Sequence, residues 1–204
     1  MKGSPKNRFL KKVRERLLES ALKVFSQKGY AASIREIAEA SATTLPSIYY
    51  YFGNKEGLYQ ELMREHLAVF EALMEDFDHI SGTAAEKLKS FITKVYLKAI
   101  DDMEFIRLLH VMSYGPPKGV PPFDIEPYYR KIHKFITGII SSGIENRDFR
   151  PGNPDHMSRI VQGGLQQVVS EGLCFGLDKN ASRETLQDIL NIILEGFQRG
   201  KESE

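Results

Sequence analysis

The sequence predicts an all-α protein, with three short helices at its N-terminus and a larger helical body behind them. Three observations predict it. Apolar residues recur at spacings of three and four in almost every segment, helix-start signatures open one segment after another, and no stretch alternates apolar and polar residues as a half-buried strand would.

The elements follow in order. Leu10, Val13, Leu17, Ala21, Val24 and Phe25 share one face of a first helix that ends near Gly29, with a basic opposite face. Ser33-Ile-Arg-Glu36 forms a capping box that starts a short helix to about Ala40. After a turn at Ser41-Ala42-Thr43, Thr44 caps a third helix to about Tyr51, with Pro46 early enough that its missing N–H removes no helical bond. Phe52-Gly53-Asn54 breaks it, and Asn54 caps a long fourth helix with Leu58, Leu62, Val69, Phe70, Leu73 and Phe77 on its apolar face. Thr83-Ala-Ala-Glu86 opens a fifth helix to about Asp101, and a sixth follows near Glu104–Tyr114. The proline-rich stretch 115–122 is a loop, because proline removes donors and restricts the residue before it. Helices are then expected near Ile125–Asn146, Pro154–Phe175 and Arg183–Arg199, the second opened by Asn153-Pro154.

Composition narrows the class. A single cysteine, Cys174, leaves no disulfide framework and no CxxC site, so a reducing, cytoplasmic setting is expected. No apolar run approaches the ~20 residues of a membrane span, and the charged N-terminus is no signal peptide, so no membrane partner is expected. There is no HExxH, GxSxG, GxxxxGK[ST] or GxGxxG, and the five histidines lack metal-ligand spacing. Neither an enzyme nor a metal or other cofactor is therefore expected. The net charge of +1 is unevenly spread: residues 1–55 hold eleven Lys/Arg against four Glu, a net of +7, leaving −6 on the rest. A basic head on an acidic body suits phosphate binding at one end.

Two short helices joined by a tight turn describe a helix-turn-helix, whose second helix enters the major groove of double-stranded DNA. Leu45, Pro46, Ser47, Tyr49 and Tyr50 fall on or near the exposed side of that helix, within reach of bases or phosphates, while Ile48, Tyr51 and Phe52 face the core. Lys55 sits at a helix N-terminus, already an anion site. Three runs, Phe25-Ser-Gln-Lys-Gly29-Tyr30, Ser33-Ile-Arg-Glu-Ile-Ala-Glu39 and Ser47-Ile-Tyr49-Tyr50-Tyr51-Phe52-Gly-Asn54-Lys55-Glu56-Gly-Leu58, closely resemble the N-terminal domain of the TetR family of bacterial transcriptional regulators. The resemblance covers roughly residues 9–62. It implies phosphate contacts from Tyr49, Lys55 and the region of Ser33, and base readout from the Thr44–Tyr50 helix, with Thr43 at its approach. Two positions depart from the family pattern. Ala42 stands where glycine is usual and calls for either a turn without positive φ or some strain, and Leu45-Pro46 replaces a polar and a small residue.

The division expected is a DNA-binding domain over 1–55 and a helical ligand-binding and dimerisation domain over 56–204. One short module reads too few base pairs, so a homodimer on a pseudo-palindromic operator is expected, more often repressing than activating. The stripes Met157, Val161, Gly164, Leu165 and Val168, and Leu186, Ile189, Ile193 and Phe197, are the interface candidates, and the family layout implies a four-helix dimer bundle there. Phe91, Tyr96, Phe105, His110, Met112, Tyr114, Tyr128, Tyr129 and His133 are the candidates for lining a site for a partly apolar small-molecule effector. The competing readings are a helical enzyme and a protein-interaction adaptor; an adaptor gives no reason to concentrate +7 on the end bearing a helix-turn-helix.

Overall fold

The computed structural model describes residues 5–75, 77, 81–114, 123–176 and 178–198, and among them every regular element is helical. The helices are α1 (Pro5–Lys28), α2 (Ile34–Ala40), α3 (Leu45–Phe52), α4 (Lys55–Glu75), α5 (Ala84–Asp101), α6 (Met103–Tyr114), α7 (Glu126–Glu145), α8 (Pro154–Phe175) and α9 (Lys179–Phe197), with a 3-10 turn at Gly29–Ala31. The loop expected at 115–122 lies outside the described residues. Both expected capping boxes form: Ser33 with Glu36, and Thr83 with Glu86. Asn153 accepts from the backbone of Asp155 and His156. Only α9 begins well before its expected start. Asp178 caps it by accepting from Asn180 and Ala181, an N-cap the apolar pattern gave no reason to place.

The chain divides into two compact units, one of residues 1–68 with 103–124, the other of 69–102 with 125–204. Compactness therefore places no boundary at residue 55. In the first unit Leu17, Leu18, Ala21, Leu22 and Phe25 of α1 are buried, as are Ile37, Ile48, Leu58, Tyr59, Leu62 and Met63. Phe25, Tyr30 and Tyr59 pack ring to ring at 5.2–5.8 Å. Burial pushes the Tyr59 phenol up to about 12, with Tyr30 adding to it. Arg14 of α1 reaches Glu61 and Glu65 of α4, and its guanidinium lies 5.7 Å from the centre of the Phe52 ring. The sixth helix also belongs to this unit: α6 packs on α1, and its buried Phe105 stacks on His66 of α4 at 4.6 Å.

The second unit packs α5, α7, α8 and α9. Gly143 of α7 sets its closest approach, since a Cβ there would lie 2.5 Å from Phe149 and 2.6 Å from Ala84. Asp148 then accepts the backbone N–H of Ala84 at 2.8 Å, closing the start of α5 against the turn after α7. Among the described residues no helix is long and apolar enough to cross a membrane, and no group of three or more potential ligands could hold a metal ion. We expect Gly143→Ala to lower stability by about 1–3 kcal/mol through overpacking, read as a lower thermal midpoint; an unchanged midpoint would contradict the tight approach.

Candidate nucleic-acid interface

The turn between α2 and α3 is held from inside. Ser41 is buried, and its hydroxyl donates to the carbonyls of Ile37 and Ala38 and pairs with the Thr43 hydroxyl at 2.8 Å. The Thr43 N–H returns to the Ala38 carbonyl at 2.9 Å. Between them Ala42 takes φ 48, so of the two turns open to an alanine here the chain adopts the left-handed, strained one. Thr44 occupies the N-cap position of α3, but its hydroxyl bonds the Ser47 hydroxyl at 3.0 Å instead of a backbone N–H. That is a correction: with Pro46 in the first turn there is one N–H fewer to cap, and the Ser47 side chain takes the bond.

Ile48 fixes the roll of α3. Its side chain is fully buried, and the residues expected to face outward do so: Tyr50 is 74% exposed and Tyr49 49%, with Thr44 and Pro46 exposed and Leu45 and Ser47 half-buried. Tyr51 and Phe52 are half-buried, and Tyr50 meets Tyr51 edge to face at 5.1 Å. A helix face of two phenols, short hydroxyls and one leucine, with no acidic group, can donate to phosphates and touch base edges and thymine methyls.

Ser33 and Lys55 flank it. Ser33 is an exposed cap whose N–H donates to Glu36, and Glu36 also takes Lys28 at 2.6 Å. The Glu36 carboxyl is held down at about 2, first by the Lys28 hydrogen bond and then by Ser33. Lys55 starts α4, where Asn54 caps by accepting from Gly57 at 2.7 Å. Its ammonium is not free: it donates to the Tyr30 carbonyl and lies 4.1 Å over the Tyr30 ring. Burial lowers its pKa, and Glu36 opposes the shift. Sequence reasoning gave Lys55 only an outward role and missed this brace, for which the one signal was the aromatic Tyr30 beside a backbone turn.

The effector candidates do not form one cluster within either unit. Phe105, His110, Met112 and Tyr114 belong to the first unit, where Phe105 is core and Tyr114 is 66% exposed. Phe91, Tyr96, Tyr128, Tyr129 and His133 belong to the second. There Phe91 is core, Tyr129 is exposed, and His133 is satisfied by Asp155 at 2.9 Å, Gln162 at 2.9 Å and Ser158 at 3.2 Å. Tyr96 is fully buried, yet its hydroxyl has no hydrogen-bond partner among the described residues. The interface candidates are mostly covered within the chain. Met157, Val161, Val168, Leu186 and Phe197 are buried within the chain, and Gly164 lies where a Cβ would come 2.9 Å from Ile189 and 3.3 Å from Ile193. These stripes, with the half-buried Leu165, mostly pack α8 against α9 of the same chain. An apolar stripe does not say which helix covers it. The large apolar residues left exposed on these two helices are Ile160, Phe175 and Ile192.

An all-helical chain with an outward second helix, a braced turn and a basic N-terminal segment defines a helix-turn-helix DNA-binding regulator. Residues 17–62 match the family model for bacterial regulatory proteins of the tetR family. Residues 17–62 thus form a TetR-type N-terminal segment, and the chain is a transcriptional regulator. It is 26% identical over 143 residues to the HTH-type transcriptional repressor KstR2 of Mycolicibacterium smegmatis, covering 68% of each chain. It is 24% identical over 208 residues to the HTH-type transcriptional regulator RutR of Escherichia coli K12, covering 95% of this chain and 94% of the relative. Among solved structures it resembles the transcriptional regulator FadR of Bacillus subtilis in complex with stearoyl-CoA, at a TM-score of 0.64 and 21% identity, over 89% of this chain and 95% of that one.

Two outcomes are expected of the head. Ala42→Gly relieves the left-handed alanine and raises stability by about 0.5–1 kcal/mol after the entropy of glycine is counted, seen as a higher thermal midpoint; a lower one would contradict the strain. For Glu36, a folded pKa below the unfolded value near 4.3 means a contribution that is whole above that range and lost as pH falls toward about 2. The gap in thermal midpoint between wild type and Glu36→Gln should therefore be present near pH 6, shrink below about pH 4.5 and close near pH 2. A gap constant across that range would contradict it.

Proposed function

We propose that this chain is a cytoplasmic, ligand-responsive repressor that binds a pseudo-palindromic operator as a homodimer, reading DNA with α3. The observation that carries the proposal is the roll of α3, with Ile48 sealed inside and Tyr49 and Tyr50 turned out. Thr44, Leu45, Pro46 and Ser47 meet base edges in the major groove, while Tyr49, the Ser33 N-cap region and Lys55 take phosphates. Lys55 keeps the Tyr30 carbonyl and offers its remaining protons to the backbone of the duplex. Residues 1–55 supply the DNA contacts and residues 56–204 the effector site and the dimer.

Dimerisation through α8 and α9 uses the exposed Ile160, Phe175 and Ile192, with Gly163, where a Cβ would touch nothing, leaving room for a partner helix. The effector is a largely apolar molecule with a polar end. The stearoyl-CoA held by the FadR structure supports this class, and so does the buried Tyr96 hydroxyl, because leaving such a group unpaired costs about 1–3 kcal/mol. The α6 helix packs with α1 and α4 in the first unit, so a ligand that meets His110, Met112 or Tyr114 acts on an element of the head. Tilting α4 then changes the separation of the two reading helices, and a coupling of about 1–3 kcal/mol suffices to release the operator.

Selection of bound duplexes from a random pool tests the reading. We expect pseudo-palindromes with half-sites about one helical turn or more apart. Tyr49→Phe weakens binding to all sequences about equally, whereas substitution of Leu45 or Ser47 shifts the preferred bases, changing discrimination by about 1–3 kcal/mol at the base pair each one reads. Failure to retain any duplex at low salt would overturn the proposal.

A further inference from the structure

Thr44 holds the N-cap position of α3, yet its hydroxyl caps no backbone N–H and is bonded to the Ser47 hydroxyl at 3.0 Å. One bond inside that pair uses one proton, whichever oxygen donates. The pair is left with one free proton and, beside it, the lone pairs of the donating oxygen. Thr44 is exposed and Ser47 half-buried, so both atoms stand at the outward side of the first turn. The neighbouring Thr43 adds no second donor. Ser41 gives its own proton to the carbonyls of Ile37 and Ala38, so the proton of the Ser41–Thr43 bond comes from Thr43 and points inward.

The rest of the helix is short of donors too. Its eight residues, Leu45 to Phe52, include no Arg, Lys, Asn or Gln. Guanine shows two acceptors in the major groove, N7 and O6, and is read by side chains that bring two donors. The first turn of α3 brings one. Adenine shows an acceptor and a donor side by side, N7 and N6–H, and the linked hydroxyls are their complement. A guanine in the same place satisfies N7 but sets O6 against an oxygen lone pair. The remaining surface of the turn is carbon, from the Thr44 methyl group, the half-buried Leu45 and the exposed Pro46. Only thymine carries a methyl group into the groove, so the apolar atoms favour the same base pair as the hydroxyls. The O6 and N4 of a guanine·cytosine pair also set an acceptor beside a donor, but offer no methyl group.

We propose that the first turn of α3 selects an adenine·thymine pair in the operator. The linked Thr44 and Ser47 hydroxyls take adenine N7 and N6, and Leu45 rests against an adjoining thymine methyl group. The choice rests on the reading of α3 as the base-contacting helix and names what it reads. The two hydroxyls act as one unit: with either removed, the other is free to rotate and to donate or accept, and guanine is no longer refused.

The test is selection from a random duplex pool by the full-length wild type, Thr44→Val and Ser47→Ala. Neither substitution removes a helix cap, since the Thr44 hydroxyl makes no capping bond. We expect one base pair to respond to both variants, and that pair to be adenine·thymine. In equilibrium titrations of the selected duplex, exchanging this adenine for guanine should weaken wild-type binding about tenfold or more, and 7-deazaadenine, which lacks the N7 acceptor, about threefold or more. Each single variant should bring the adenine-to-guanine ratio within about twofold of unity, with no further change in the double variant. A turn merely loosened by the substitutions weakens all sequences alike and keeps the wild-type ratio. That result would overturn the assignment, as would a guanine·cytosine pair at the responding position or variants that alter different positions. Wild-type binding to duplexes without adenine preference sinks this assignment alone, whereas failure to retain any duplex removes the regulator reading and the assignment with it.

Discussion

The presentation of the reading helix depends on one buried hydroxyl. Ser41 sits at the C-terminus of α2, where carbonyls lack helical partners, and it directs its proton there while tying Thr43 into the turn. Removing it would leave those groups unsatisfied in an almost closed environment, and the turn would lose the anchor that forces Ala42 into a left-handed backbone. With the turn fixed, Ile48 has one place to go, and the opposite face of α3 has no choice but to point outward. Strain at Ala42 and exposure at Tyr50 are two ends of the same constraint.

A second layer of bracing holds this head against α4. Arg14 is forked between Glu61 and Glu65 with Phe52 beneath it, and Lys55 is locked onto the Tyr30 carbonyl and ring. Both cations come from a segment whose positive charge, read along the chain, suggests phosphates alone. Some of that charge is structural. The basic residues on the exposed side of α1, such as Arg8, Lys12, Arg16 and Lys23, remain for the long-range field that draws a polyanion.

Much of the fold was legible because helix signals are local. The Ser33 and Thr83 capping boxes and the Asn153 cap depend on neighbours within a turn and formed as expected, and the three- and four-residue apolar periods mark the helices, though Val69, expected on the apolar face of α4, is exposed. Tyr49, Tyr50 and Ile48 were assignable for the same reason, since a single helix face decides them. What the chain alone did not disclose involves partners distant in sequence. Lys55 with Tyr30, Gly164 with Ile189 and Phe105 with His66 are such pairs. Periodicity says that a face is covered, never by what.

The membership of α6 in the first unit has a topological consequence. The chain leaves that unit after residue 68, returns for 103–124 and leaves again, so each unit is assembled from pieces that are not contiguous. A fragment cut after the last reading residue would lack Leu58, Tyr59, Leu62 and Phe105, all fully buried, and with them much of the floor under α1. Neither half can be lifted out by trimming an end. A chimera built at residue 55 would inherit the α3 surface without the packing of Leu58, Tyr59, Leu62 and Phe105 beneath it.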